Sequence, residues 1–486
     1  MTRVNDIRSL GAWAAAAALG ALVWWTVHPG AAVPRAAPPA GRTLVLVGAA
    51  WVVFAGGVWL VRRLPLRRAV LVIVVGGIGL QVAALSAPPR TSTDAYRYVW
   101  DGRVQAAGID PYRYVPAAPE LAGLRDPEFL WARTAWSWCV APGTPDPDRA
   151  GAFLEPGCTL MNRPAVHTIY PPVAEGYFAA VHVLSPPGAR VKPIQVAAAV
   201  AAVATTLLLL YGLRRLGRDP TLAAYWAWCP LVALETGNNA HVDVVAAGLT
   251  VIALVVLARA GPSRGRALLG GGVFGLAIAA KLFPALLFPA VARRRPLAIG
   301  GAAAGAVAAV YLPHVLAVGG GVLGYLPGYL KEEGYDSGWR FALLGLFVPA
   351  DWAAPVAACV LAATALWVWL TADPDRPWRG ALVLVGVYLL VTAPALPWYG
   401  LLVIALVALD GRAEWLAVAA AGYVIWAMIA FGLPPVPATR IGYGAGAIIV
   451  LVAALWRAAG QRAAGQRAPA MSATPSRSRS TSGSSV

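Results

Sequence analysis

The side chains of this chain best suited to chemistry fall in a few short polar stretches between long apolar runs. The first reads Thr91-Ser-Thr-Asp94-Ala-Tyr-Arg-Tyr-Val-Trp-Asp101-Gly-Arg103. Thr91, Ser92 or Thr93 suits a helix N-cap, and Gly108 before Asp110-Pro111 suits a stop, so a helix is predicted to run to about Ala107. On it Asp94, Tyr98, Asp101 and Gln105 share one face. Val99, Trp100, Val104 and Ala107 form the other, which is predicted to lie on a membrane interface. A carboxylate in the first helical turn either caps the helix or, facing an enclosed space, serves as a general base.

Further stretches could complete a site. Asn162-Arg163-Pro-Ala-Val-His167-Thr-Ile-Tyr170-Pro171-Pro172-Val-Ala-Glu175 places His167 and Tyr170 at a proline-fixed re-entry point; a rigid turn with an aromatic-belt tyrosine is the plainer reading. Glu235-Thr-Gly-Asn238-Asn239-Ala-His241-Val-Asp243 sets acids, amides and a histidine between apolar helices, where ionisable groups are functional by default; a solvated loop is the alternative. His241 and Asp243 without a third ligand are a weak metal signal, and no metal is expected. Tyr325-Leu-Pro-Gly-Tyr329-Leu-Lys331-Glu-Glu-Gly-Tyr335-Asp-Ser-Gly-Trp339-Arg340 mixes aromatics with charge, and Pro394-Ala-Leu-Pro397-Trp398-Tyr399 breaks a hairpin. Aromatic faces stack on sugar rings, and Arg or Lys suits a phosphate.

The elements that must position these residues are membrane helices. Of the 486 residues 59% are hydrophobic and only 13% charged, against about 25% charged in soluble domains. Disorder, a secreted disulfide scaffold and an ordinary cytosolic enzyme are excluded. Apolar windows near 7–27, 43–61, 68–87, 190–212, 219–235, 240–258, 296–315, 353–371, 378–394, 397–410, 413–431 and 437–457 predict an all-α polytopic membrane protein with about 12 crossings. Segment 267–291, flanked by arginines and broken at Lys281-Leu-Phe-Pro284, is predicted to be a re-entrant hairpin that begins and ends on one side; a proline-kinked span is the alternative.

Arginine clusters at Arg62, Arg63, Arg67 and Arg68, at Arg214, Arg215 and Arg218, and at Arg259, Arg264 and Arg266 alternate with poorly basic connections. They predict both termini in the cytoplasm. The first span is read as retained rather than cleaved. The chain then divides into N-terminal helices 1–66, a catalytic module 67–457 with outer loops 88–189 and 316–352, and a disordered basic tail 458–486. The net charge of +17 falls on the loops read as cytoplasmic and the outer segments balance, so it is a topology signal and no nucleic-acid partner is expected. Cys139 and Cys158 share an outer loop where a disulfide is plausible; two free thiols are the alternative. Cys229 and Cys359 fall within spans.

No Gly-rich phosphate loop, HExxH, CxxC pair or Walker lysine is present, so a soluble nucleotide donor has no cradle. The strings TDAYRYVWDGRVQAAGIDPYRYVP, TIYPPVAE, GNNAHVDVVAAG and ALPWY resemble the GT-C superfamily of membrane glycosyltransferases, and most of all the glycosyltransferase family 87-like, polyprenyl-phosphate-mannose-dependent mannosyltransferases of bacterial envelopes. The resemblance covers about residues 68–440. It implies a GT-C fold and transfer of one sugar, with inversion, from a polyprenyl monophosphate donor to a glycolipid or glycan acceptor on the outer face of the plasma membrane, without a cofactor. Asp94 matches the family's aspartate in the first outer loop, the expected base, although here that loop follows the third span rather than the first.

Substrate contacts are expected from Asp101, Arg103, His167, Tyr170, Asn239, His241, Asp243, Lys331, Arg340, Trp398 and Tyr399. The cation or imidazole beside the leaving phosphate is expected among Arg340, His241, Lys331 and His314, with Lys281 added if the broken hairpin reaches the outer half of the membrane. An arabinofuranosyl or other sugar transferase of this class, and a lipid-linked-sugar flippase or secondary transporter, are the competing readings. A transporter more often shows internal repeats, and no convincing one is found.

Overall fold

The computed structural model describes residues 2–28, 40–134, 137–258 and 263–467. The chain is an all-α polytopic membrane protein. It opens with α1 (Thr2–Val27), α2 (Ala40–Val61) and α3 (Leu66–Leu85). A large loop then carries α4 (Asp94–Ala106), a two-stranded sheet of β1 (Trp138–Val140) and β2 (Gly157–Thr159), and α5 (Pro172–Leu184). As predicted, α4 begins at the Thr-Ser-Thr segment and stops before Gly108, whose φ of 77° only glycine adopts freely. The strands pair antiparallel with Cys139 opposite Cys158, and a disulfide joins the two.

Next come α6 (Lys192–Arg215) and an irregular passage. The passage runs through a 3-10 turn (Pro220–Ala223), α7 (Ala224–Ala227), α8 (Pro230–Val232) and a π-helical turn (Ala233–Asn238). The window 219–235, expected as a span, is therefore not one helix: Pro230 has no N–H for the ladder, and Trp226 and Trp228 fill the interior beside it, both fully buried. Gly76 of α3 admits the Trp228 indole, which a Cβ there would meet at 2.7 Å.

Then follow α9 (Asp243–Leu257), α10 (Arg264–Ala280), α11 (Phe288–Val291) and α12 (Pro296–Val318). α10 ends at Lys281, whose backbone is extended. A 3-10 turn (Phe283–Leu287) and α11 lead back to Arg293, which donates to the carbonyl of Leu370. The segment expected as a hairpin of two half-helices is thus one helix of 17 residues with a short return. The chain closes with α13 (Leu326–Glu332), α14 (Ala350–Thr371), α15 (Pro377–Thr392), α16 (Gly400–Asp410), α17 (Leu416–Ala430) and α18 (Pro435–Arg467).

Eight helical segments among the described residues are long and apolar enough to cross a membrane: α1, α2, α3, α6, α12 with its continuation to Glu332, α14, α17 with the turn before it from Ala413, and α18. Three shorter apolar helices, α9, α15 and α16, lie among them, and α16 is buried along its whole length. α18 continues to Arg467, ten residues into the segment expected as a tail; the remainder of that tail, like Arg259, lies outside the described residues. The loops predicted as cytoplasmic gather at one end through Arg218 donating to the Asp410 carbonyl (2.7 Å), Arg379 paired with Asp410 (3.4 Å) and Arg294 with Asp375 (2.7 Å). The polar stretches gather at the opposite end.

Candidate active site

Two asparagines fix the path into α4. Asn238 Nδ2 donates to the carbonyls of Ala84 and Pro88, both at 3.1 Å, and its Oδ1 accepts from the Arg90 N–H. Asn239 Oδ1 accepts from the Arg90 and Thr91 N–H groups, both at 3.2 Å, while its Nδ2 donates to Thr91 Oγ1 at 2.6 Å. Gly237 makes this clamp fit, since a Cβ there would lie 2.7 Å from Gln81 Oε1. Held this way, α4 starts with Asp94 at the wall of a cavity of about 870 Å³. Asn162 donates to Asp94 Oδ1 at 2.6 Å, and the Asp94 side chain keeps 17% of its surface exposed.

The cavity has two characters. Asp94, Arg163, His167, Tyr170, Lys281 and Tyr399 give it a polar wall. Leu282, Phe283, Leu286, Leu326, Leu330 and Leu396 give it an apolar one. Lys281, at the broken end of α10, lies 3.1 Å from Asp243 Oδ2 and over the Tyr170 ring at 5.6 Å. Tyr399 and Tyr329 share a hydroxyl–hydroxyl hydrogen bond of 2.7 Å across the opening.

Behind Asp94 the turn from Glu235 to Asp243 is buried, not solvated: Glu235 and His241 have no exposed surface and Asp243 has 2%. Ala240 takes φ 59° there, a left-handed strain of about 1–2 kcal/mol for a non-glycine residue. The His241 ring stacks on Trp398 with centroids 3.9 Å apart. Its Nδ1 faces Asp94 Oδ2 at 3.8 Å and its Nε2 faces Glu235 Oε2 at 3.3 Å. Glu235 in turn accepts from Tyr423 Oη and from Asn239 Nδ2. Gly422 of α17 lets the Pro397 turn sit close enough to supply Trp398.

Of the predicted site residues, Asp94, His167, Tyr170, Trp398 and Tyr399 line the cavity. His167 also meets Asp148 at 2.8 Å. Asn239, His241 and Asp243 stand directly behind that wall. Arg340 is buried beneath it, paired with Glu333 and 5.3 and 5.9 Å from the ring centres of Tyr335 and Tyr399.

The structure does not bring the others in. Asp101 is buried against Arg97 at 2.9 Å; burial pushes its carboxyl upward against the pull of that guanidinium. Arg103 donates to the Leu124 carbonyl and meets Asp126 at 3.4 Å, outside the main cavity. Lys331 is exposed and does not line it. His314 is bound to Asp110 at 2.7 Å.

The expected membrane-facing side of α4 is also corrected. Trp100 and Val104 are 1% and 3% exposed, because Trp131 of the same loop packs on Trp100 and α5 closes over the helix. Gly102 allows that closeness, with the Phe178 carbonyl 2.5 Å from where its Cβ would stand. The opposite face serves packing too, as Gln105 donates to Glu175 Oε2 at 2.9 Å and Thr168 to Glu175 Oε1 at 2.6 Å.

Several site residues escaped the sequence reading. Asn162, Arg163, Glu235, Tyr329 and Glu333 lay in stretches already singled out, and their polar character was the only signal. Arg163 spans the opening to Glu332; burial alone would lower its guanidinium, but Glu332 and Asp94 outweigh that and raise it. Among the described residues no group of three or more His, Cys, Asp or Glu side chains is arranged to hold a metal ion.

Residues 168–394 match the family model described as glycosyltransferase family 87. The matched stretch begins after Asp94 and holds Tyr170, the Glu235–Asp243 turn, Lys281 and Arg340. No curated protein and no solved structure matches the chain.

Proposed function

We propose that this protein, a glycosyltransferase whose residues 168–394 match the family 87 model, transfers one mannose, with inversion, from polyprenyl monophosphate to a glycolipid or glycan acceptor on the outer face of the plasma membrane. The observation that carries this reading is the cavity itself: an exposed carboxylate edge and a lysine on one wall, long apolar side chains on the other. A sugar phosphate on a lipid has the same two halves.

Asp94 takes the proton of the acceptor hydroxyl as that oxygen bonds to the anomeric carbon and the carbon–phosphate oxygen bond breaks, leaving polyprenyl phosphate. A positioned base of this kind contributes about 10²–10⁴-fold. Asn162 satisfies one Asp94 oxygen and leaves the carboxylate's other edge to the cavity and His241. Lys281, on the polar wall of the cavity, is the cation assigned to the phosphate as it gains charge, while Arg340 behind Tyr399 is balanced by Glu333. The other nearby carboxylates are engaged, Asp101 by Arg97 and Asp243 by Lys281. One free carboxylate suits direct displacement better than a covalent double displacement. The charge-balanced site end and the net-positive opposite end support cytoplasmic termini and an outward site.

The test is Asp94→Asn in the full-length protein in lipid nanodiscs. Labelled polyprenyl-phosphate mannose and its arabinofuranose analogue are offered with envelope lipid extract as acceptor. Loss of transfer with an unchanged melting profile is expected, and mannose is the sugar expected to move in the wild type. Full activity in the variant overturns the mechanism, and transfer of arabinose alone overturns the donor.

A further inference from the structure

We propose that His241 and Glu235 form a proton relay that draws the acceptor's proton from Asp94 into the protein interior. The inference rests on Asp94 being the base. Three observations meet here. His241 is fully buried, yet neither ring nitrogen has a hydrogen-bond partner. Those two nitrogens point at two different carboxylates, Asp94 at 3.8 Å and Glu235 at 3.3 Å. Stacking on Trp398 fixes the ring plane along that line, and the strained Ala240 precedes it in the turn. A packed, purely structural histidine would have its polar atoms satisfied, whereas relay contacts in an empty site are often long and tighten when substrate binds.

The step balances as follows. In the resting state Nε2 carries the ring hydrogen and faces Glu235, so Nδ1 presents a lone pair toward Asp94. The acceptor O–H bond breaks and its proton goes to Asp94. Asp94 passes a proton to His241 Nδ1 while Nε2–H gives its own to Glu235 Oε2. Asp94 is then an anion again with the product still bound, and the neutral Glu235 carboxyl stays sealed behind it.

Glu235 is held at both oxygens in its resting, charged state: Tyr423 donates to one and Asn239 to the other. The charged groups facing His241 are Asp94 from α4, Glu235 and Asp243 from its own turn, and Lys281 from the end of α10. Lys281 is paired with Asp243, which leaves the Asp94–Glu235 line as the proton path. Return of the proton follows the same route once the cavity is open to water. The device restores Asp94 as a base while the product is still bound.

The experiment compares Glu235→Gln, His241→Gln and Asp94→Asn in nanodiscs with labelled polyprenyl-phosphate mannose and envelope lipid extract. Glu235→Gln keeps the side-chain shape and one accepting oxygen but cannot take the proton. Its turnover is expected to fall about 100-fold, with the donor KM within about twofold and the acid limb of the pH–rate profile lost. Glu235→Asp is expected to restore part of the rate and that limb.

In the wild type, single turnovers in mixtures of light and heavy water are expected to give a curved proton inventory, since more than one proton moves. That measurement stands even if the variants fold poorly. A linear inventory, or wild-type turnover and pH profile in Glu235→Gln, overturns the relay. If Asp94→Asn is inactive while Glu235→Gln is unaffected, the relay alone fails. If Asp94→Asn is active, the base assignment fails with it.

Discussion

Lys281 Nζ lies 3.1 Å from Asp243 Oδ2 and ties the broken end of α10 to the first turn of α9 at the wall of the cavity. The Asp243 carboxylate is 1% exposed and its second oxygen has no protein partner, so the lysine is what balances it. Removing one member of a buried pair costs about 3–5 kcal/mol, whereas replacing both can be nearly neutral. Lys281→Met is therefore expected to lower the unfolding midpoint in detergent sharply, and Lys281→Met with Asp243→Asn to regain most of it. Equal melts for the single and double variants would show that the pair is not coupled. The double variant is also expected to bind the polyprenyl-phosphate donor less tightly, read as a raised KM.

Asn162 donates to Asp94 Oδ1 at 2.6 Å from a loop remote in sequence. Hydrogen bonds to charged groups contribute about 1.5–3 kcal/mol. Asn162→Ala is expected to lower kcat by about 10- to 100-fold with little change in thermal stability. Unchanged kcat would show that Asp94 is held by other contacts.

Cys139 and Cys158 close a loop with a sequence separation of 19. Chain entropy gives a bridge over a loop of this size about 3 kcal/mol. Cys139→Ser is expected to open residues 130–160 to limited proteolysis and to abolish the mobility difference between reduced and non-reduced gels. An unchanged digest and an unchanged gel would leave the bridge without a role in solution.

Arg163 reaches across the cavity mouth to Glu332, and Tyr325 Oη donates to the same carboxylate at 3.2 Å. Both ends of the ion pair are partly exposed, at 31% and 40%, so its stability effect is at most about 1 kcal/mol. Glu332→Gln is expected to leave the melting profile nearly untouched while raising the donor KM severalfold, because α13 forms one wall of the opening. A large drop in stability with unchanged KM would assign the pair a structural role instead.

Much of the fold is legible in the sequence because membrane helices are a length-and-composition problem. Runs of apolar residues long enough for hydrocarbon, with arginines between them, need no tertiary information. The window 219–235 shows the limit. Its composition is as apolar as a span, but Pro230 and two tryptophans break it into short turns that only protein contacts sustain. On α4 the helical period is legible, and the two faces are expected to meet an enclosed space and the membrane interface. Trp131 and α5 cover the apolar face, and Arg97 and Glu175 absorb the polar one. An amphipathic pattern states that two surroundings differ, not what each one is.

By itself the sequence determined the membrane class, the start of α4 at the Thr-Ser-Thr segment, the break at Lys281 and the polar residues worth watching. Those follow from local chemistry: capping, proline, charge and apolar length act within a few residues. Tertiary structure alone decided which of those residues meet. Asp94, Asn162, Glu235, His241, Lys281 and Trp398 come from segments far apart in the chain, and a one-dimensional pattern carries no distance between them. The polar turn, functional by default in sequence with a solvated loop as the alternative, becomes a buried acid–imidazole pair once Trp398, Tyr423 and Asp94 close over it. Burial by remote partners changes what a side chain can do, and that is fixed only when the helices pack.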